Sequence, residues 1–412
     1  NHSNINHSVA KINLMKLIPE LFGIALSNIF GKQLLKEGID IVTPDGQIIP
    51  LRPQNSTAAH TLAVNNWSFF WDIVTGYDLG LAESYIKGKW DHDDLASLFQ
   101  YLASKTTDDN LPSIGNIAPK KMYARFIQRI KSTNSIKWAE RNISQHYDMS
   151  NDFFATFLDP SMTYSCGIFE TPTTNLQEAQ NRKIAALIER SLLSETDSVL
   201  DIGCGWGSLS TTIASNYGAN VTAVTLSNRQ YEYVLNMLEE ENDVNGNVDL
   251  QLTDYRFIKG QFDHIFSVEM LEAVGYKGTQ EFFQKCGFLL TKGGTLQIQV
   301  ITIPHSRYDA YKNNCDFIQK YIFPGGLLLS LETVKDAAKS AGFTLYNESS
   351  IGRHYATTLN HWRNNFIQNY DKILSLGFEA ADIRRFLYYF CYCEGAFLSG
   401  AIDDHQISFR KD

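Results

Sequence analysis

Val199-Leu-Asp-Ile-Gly-Cys-Gly-Trp-Gly-Ser-Leu-Ser210 is the stretch on which the fold turns. A short apolar run, Ser198 to Ile202, ends in glycines at alternate positions, Gly203, Gly205 and Gly207, and a helix-like run from Ser208 to Asn216 follows at once. The pattern predicts a strand, a tight turn and a helix. Glycines at such a turn let the backbone approach a nucleotide-like ligand, and the helix N-terminus adds unpaired N–H groups. Asp201 closes the strand, where a carboxylate can face a cation or a ribose. The spacing is G-x-G-x-G, which differs from the G-x-G-x-x-G of a dinucleotide site, and no Gly-Lys-Ser/Thr follows to make a P-loop.

Outward from this turn, strands and helices alternate. Asn220 to Leu226, Val248 to Leu252, His264 to Val268, Thr295 to Ile301 and Phe343 to Ser349 read as further strands, and Gln406 to Arg410 as the last of seven. Alternation of this kind predicts an α/β fold with a parallel sheet covered by helices on both faces, and ligands at the strands' C-terminal ends. An acid before a glycine turn at that edge reads as a site for S-adenosylmethionine (SAM), whose sulfonium is positive, although an ordinary glycine-rich strand-to-helix turn has the same outline. Pro304 to Ser330 and Tyr355 to Asp404 exceed a minimal seven-strand fold. Their aromatic and leucine content suits an acyl-chain tunnel and, nearly as well, core packing.

A chain of 412 residues is long for one core, so two domains or one with large insertions are expected. The net charge of −9 argues against general nucleic-acid binding. Six cysteines without CxxC spacing favour a reducing compartment over a disulfide framework, and no metal site is expected. No segment approaches the roughly 20 apolar residues of a membrane span. Met15 to Phe30 comes nearest, and Lys16, Glu20 and Asn28 interrupt it. The chain opens on Asn1, as a fragment or processed form would.

Residues 1–118 read as a smaller mixed α+β domain. It would hold a hairpin from Ile39 to Pro50 around Pro44-Asp-Gly46, an aromatic strand from Asn65 to Trp71, and helices from Leu79 to Gly88 and Asp93 to Lys105. Thr106 to Pro119 is the expected linker. Residues 119–143 read as a basic helix: Lys120, Lys121, Arg125, Arg129, Lys131, Lys137 and Arg141 face one acid, Glu140. That pattern suits anionic phospholipid headgroups and equally a solvated linker. The third domain is residues 144–412.

Unusual local chemistry gathers in His146 to Phe169, Thr225 to Gln230, Ser267 to Gly275 and Gly352 to Leu359. All but the first fall at a strand's C-terminal edge. Tyr147-Asp148, Asn151-Asp-Phe-Phe154, Met162-Thr-Tyr-Ser-Cys166 and Asp201-Ile-Gly-Cys-Gly-Trp-Gly207, taken together, resemble the cyclopropane fatty acid synthases and mycolic acid cyclopropane synthases. Gly80 to Gly88 resembles them more loosely.

The resemblance implies a class I SAM-dependent methyltransferase, a Rossmann-like seven-stranded sheet with helical lipid-binding insertions. It implies a SAM site of Tyr164, Ser165, Gly203, Gly205, Thr225 and Gln230, joined by Asp201, with Tyr255 and Arg256 near the adenine. An aromatic beside a sulfonium adds roughly 0.5–2 kcal/mol. The implied reaction joins the SAM methyl to the cis double bond of an unsaturated phospholipid acyl chain and closes a cyclopropane ring. The proton goes to a bound bicarbonate, held by Cys166, Glu272, Tyr355, the backbone of Ile301 and a histidine whose place Gln299 takes. Glu269 is a weaker alternative to Glu272.

Two departures stand out. Ala273 replaces a histidine common after the glutamate, and Gln299 cannot carry positive charge or relay a proton. Plant-type members share the Gln-x-Ile and the pattern from Asp316 to Gly326. Gln299 leaves a methylene- or methyl-branched product open beside the ring, as well as a SAM-binding lipid module with little catalysis. The remaining expectations are a peripheral membrane location on the cytoplasmic side and a homodimer.

Overall fold

A computed structural model describes residues 38–51, 57–105, 149–240 and 246–412. The linker from Thr106 and the basic helix expected over residues 119–143 lie outside them. The chain divides into two compact units.

In the first unit, β1 (Ile39–Val42) pairs antiparallel with β2 (Ile48–Leu51) and parallel with β3 (His60–Val64). β4 (Trp90–Asp91) completes the order β2-β1-β3-β4. In sequence, α1 (Ser68–Ile86) lies between β3 and β4, and α2 (Leu95–Lys105) follows β4. The hairpin lies where the sequence predicts it, but the aromatic run to Trp71 is helical. Asn66 Oδ1 accepts from the Ser68 N–H at 2.9 Å and from its hydroxyl at 2.8 Å, which turns the chain into a helix. Helical spacing then buries Phe69, Phe70 and Ile73 and leaves Trp71 70% exposed. Aromatic density mimicked a strand.

The first unit also takes in Gly377–Ala401, whose helix Ala380–Leu398 the sequence reading assigned to the 144–412 block. Packing, not chain order, decides its place. Tyr388 on this helix meets Phe99 edge-on at 4.8 Å and lies 5.6 Å from Tyr85.

The second unit carries a seven-stranded sheet in the order β10-β11-β9-β8-β5-β6-β7. In chain order these strands are β5 (Ser198–Ile202), β6 (Asn220–Thr225), β7 (Asn247–Leu252), β8 (Phe262–Val268), β9 (Leu290–Thr302), β10 (Phe343–Ser350) and β11 (Asp403–Lys411). β5 to β9 are mutually parallel, whereas β11 runs antiparallel between β9 and β10. The sheet is therefore mostly rather than wholly parallel. β9 begins at Leu290, earlier than the predicted Thr295, because buried Leu290 already pairs with Phe262.

The helices of this unit are α3 (Asn151–Phe154), α4 (Leu176–Ser191), α5 (Ser208–Tyr217), α6 (Asn228–Glu240), α7 (Gly275–Leu289), α8 (His305–Lys312), α9 (Phe317–Tyr321), α10 (Leu331–Ser340), α11 (Gly352–Gln368) and α12 (Tyr370–Ser375). One sheet face buries Ile265, Leu296 and Ile298 with Phe282 and Phe283 of α7 and Val334 of α10. The other buries Val199, Val221 and Phe266 with Ile184 and Leu187 of α4 and Ile213 of α5. Two apolar layers thus hold the sheet and fix its C-terminal edge. Among the described residues, no helix is long and apolar enough to cross a membrane.

Candidate active site

The glycine turn between β5 and α5 is left-handed at Gly203 (φ 81°) and Gly205 (φ 57°), a region that favours glycine. A Cβ on Gly203 would approach Met270 Cγ to 3.0 Å, whereas one on Gly205 would meet nothing within 4 Å. Gly205 thus presents bare backbone to open space, where a ligand can come close. Asp201 lies buried beneath the turn and accepts from Ser210 Oγ at 2.6 Å, tying β5 to α5. Burial raises its carboxyl to about 6, against the opposing effects of Ser210 and Lys183.

A cavity of about 200 Å³ opens at this turn. It brings together Tyr164, Ser165, Asp201, Gly203, Gly205, Thr225, Gln230, Tyr255 and Arg256, every residue expected to bind SAM. Thr225 donates its hydroxyl to Gln230 Oε1 at 2.8 Å, so the end of β6 and the start of α6 form one polar wall. Tyr164 sits in an aromatic group, 5.1 Å from Trp362 and 5.4 Å from Phe154. These rings supply a dry, polarisable flank suited to a sulfonium.

Two charged cavity residues escaped the sequence reading. Asp254 is buried, and its carboxylate accepts from the Arg256 side chain at 2.9 and 2.6 Å, which fixes both. Its signal was the position just after β7, at the same sheet edge as the other sites. Lys183, on α4, is buried and donates to Ser165 Oγ at 2.9 Å. An isolated lysine in an amphipathic helix carried no such signal.

The expected catalytic residues gather behind one wall of the cavity, with Glu269 at their centre. Glu269 Oε1 accepts from the Cys166 N–H at 2.9 Å and from Gln299 Nε2 at 2.8 Å; Oε2 accepts from the Tyr355 hydroxyl at 2.6 Å. Glu272 lies in the next turn and accepts from the Ile301 N–H at 2.6 Å, while its Oε2 is buried without a hydrogen-bond partner. The set therefore divides: Cys166, Gln299 and Tyr355 meet Glu269, and Ile301 meets Glu272. Cys166 contributes its backbone, since its thiol turns toward Gly167 O and burial pushes the thiol well up.

Electrostatics separates the two glutamates. Burial raises both carboxyls, but for Glu269 the three donors and Lys183 oppose the shift. Glu272 is pushed up to about 8 by burial and by the charge of Glu269, with backbone N–H groups alone opposing. Asp404, beside Gln299 at 3.1 Å, is pushed well up by burial and by both glutamates. Three donors and Lys183 thus favour the charged form of Glu269, whereas burial and neighbouring carboxylates favour the neutral forms of Glu272 and Asp404. The Cys166 and Ile301 N–H groups, the Gln299 amide and the Tyr355 hydroxyl are engaged by Glu269 or Glu272, and the Cys166 thiol is turned toward Gly167 O. The arrangement does not fit a bound bicarbonate.

The family described as mycolic acid cyclopropane synthetase matches residues 134–407. The chain is 37% identical over 349 residues to the tuberculostearic acid methyltransferase UfaA1 of Mycobacterium tuberculosis, covering 81% of this chain and 79% of that one. It is 32% identical to the cyclopropane-fatty-acyl-phospholipid synthase of Escherichia coli K12, covering 87% and 89%. Among solved structures, the mycolic acid cyclopropane synthase CmaA1 complexed with SAH and CTAB superposes with a TM-score of 0.62 at 31% identity, over 66% of this chain and 98% of that one.

Proposed function

The chain belongs to the mycolic acid cyclopropane synthetase family, and from that premise we propose that it methylates the cis double bond of an unsaturated phospholipid acyl chain and closes a cyclopropane ring. It is a SAM-dependent lipid methyltransferase with the class I fold. The observation that carries the finer reading is the carboxylate of Glu269 in the wall of the glycine-turn cavity, ringed by Cys166, Gln299 and Tyr355.

SAM supplies an electrophilic methyl group. An alkene is a poor nucleophile, so the protein's part is alignment in a dry pocket. The Gly203–Gly205 backbone, Thr225, Gln230 and Asp254 hold and orient the cosubstrate, and the rings around Tyr164 exclude water. Once the methyl is joined, the acyl chain bears a positive charge that only loss of a proton can discharge into a ring. A charged acceptor beside the cavity meets that need.

A second reading has its own support. The relative at 37% identity is named a tuberculostearic acid methyltransferase, which favours a methyl- or methylene-branched product on the same kind of chain. Either way the double bond lies within a bilayer, so the protein is proposed to work from the cytoplasmic membrane surface as a peripheral enzyme.

The test uses phosphatidylglycerol vesicles with cis-monounsaturated chains and carbon-13-methyl SAM, with products read by NMR. Upfield ring-methylene signals support the synthase, and vinylic or branched-methyl signals select the second reading. SAM binding without label transfer to lipid refutes both.

A further inference from the structure

We infer that Glu269 is the chain's own proton acceptor, its carboxylate standing where the resemblance calls for a bicarbonate ion. The inference rests on the proposed methylation of an acyl double bond and names the base for it.

Three features of the site point to Glu269. The first is the convergence of donors: one N–H, one amide and one phenol, from three separate segments, meet a single side-chain carboxylate within 2.9 Å. A bidentate anion with this set of donors is what a free bicarbonate site would hold, and here the chain supplies the anion itself.

The second is the backbone. Glu269 adopts φ 49°, a left-handed conformation that residues with a Cβ rarely take, at the end of β8. Its N–H donates to Gln299 O at 2.8 Å, which holds the residue there. Strain of this kind persists where the surroundings over-determine it, and it clusters at active sites. Glu269 is at the same time part of the cavity wall.

The third is Gln299. Its Oε1 accepts from Gln406 Nε2 at 3.1 Å, so its own amide N–H₂ is aimed at Glu269 Oε1 and at Asp404. A neutral amide clamped in this sense suits a carboxylate already built into the chain. The exchange of histidine for glutamine and the presence of Glu269 are thus two parts of one arrangement.

The step balances without any further reagent. The double bond's π electrons form a carbon–carbon bond to the SAM methyl as the sulfur–methyl bond breaks, leaving a positive carbon on the acyl chain. A C–H bond of the delivered methyl then breaks, its electrons close the ring, and the proton passes to Glu269. Cys166, Gln299 and Tyr355 are positioning residues for that carboxylate.

The test compares the parent with Glu269→Gly and Glu269→Gln. Glycine suits the left-handed backbone and vacates the anion position, whereas glutamine fills it with a neutral amide. In carbonate-free buffer the parent should keep its turnover within about twofold, and both variants should lose about 100-fold or more, in line with removal of a general base. SAM affinity should stay within a few-fold, which also reports that the variants are folded. Bicarbonate should restore at least about tenfold of the activity of Glu269→Gly and none of Glu269→Gln.

A second readout needs no substrate. Carbon-13 bicarbonate followed by NMR should bind Glu269→Gly and not the parent. Bicarbonate binding by the parent, a parent that stalls without bicarbonate, or a glycine variant fully active in its absence would each overturn the inference. Failure of label transfer to any lipid by the parent, with the bicarbonate-binding contrast intact, would instead refute the reaction proposed above and leave the assignment of the anion position standing.

Discussion

Replacing Glu272 with glutamine should stabilise the protein, and by an amount that grows with pH. The Glu272 carboxyl is raised from 4.5 to about 8, first by burial and then by the charge of Glu269. Below pH 4.5 the group is protonated in both folded and unfolded chains and contributes no pH dependence. Between that value and about 8 the unfolded chain releases the proton and the native state keeps it. Stability therefore falls as pH rises, by about 1.4 kcal/mol per pH unit, and levels off above the folded value. From pH 5 to pH 8 the parent loses about 3–4 kcal/mol through this group.

Glutamine imitates the protonated acid, keeps an oxygen for the Ile301 N–H, and does not titrate. The melting temperatures of parent and variant should be close at pH 5 and differ by on the order of 10 °C at pH 8, the variant being higher. Scanning calorimetry across that range measures the gap, and a protonated-carboxyl infrared band absent from Glu272→Gln would identify its source. A gap that does not change with pH would refute the reasoning, since Glu272 would then titrate as an ordinary exposed carboxylate.

Other sites give sharper readouts of ligand binding and packing. Gly205→Val should weaken SAM binding by about 100-fold or more in calorimetry, because a Cβ at φ 57° is strained and projects into the cavity; affinity within twofold of the parent would contradict that placement. Gln230→Ala should weaken SAM by roughly 5–20-fold through loss of the polar wall it shares with Thr225, and unchanged affinity would exclude the pair from the site. SAM affinity should fall as pH drops through about 6, where Asp201 gains its proton, and Asp201→Asn should flatten that profile. In the first unit, Arg384 lies over the Tyr85 ring at 3.9 Å and donates to Trp90 O at 2.9 Å. Arg384→Ala should cost about 2–4 kcal/mol in denaturant unfolding, and Arg384→Lys should recover little of it.

Much of this was legible in the sequence because glycine and β-branched residues report local backbone needs. The turn from Gly203 to Gly207 could hardly be anything else, and β5 matches its predicted bounds from Ser198 to Ile202. The antiparallel course of β11 was not legible, because strand direction depends on partners far away in sequence. Nor was the division of labour between Glu269 and Glu272. Three residues apart in one acidic segment, they are told apart only by the left-handed backbone at Glu269 and by donors from three other segments. Asn65 to Trp71 misled for a different reason: its aromatics fit a strand or a buried helical face, and the Asn66 cap settles the choice.

The antiparallel strand has a bearing on biogenesis. β11 is synthesised after every other strand of the sheet, yet it sits between β9 and β10 rather than at an edge. Until it inserts, both neighbours expose open hydrogen-bonding edges, which invite association between nascent chains. The same insertion delivers Asp404 and Gln406 to Gln299, so the hydrogen-bonded cluster around Glu269 is completed in the event that closes the sheet. The intervening helix Ala380–Leu398 belongs to the first unit, so the chain crosses from one unit to the other and back before β11 is made. Neither unit is contiguous in sequence, and a fusion or truncation within Asp403–Lys411 would arrest assembly of the sheet at its middle rather than fray its margin.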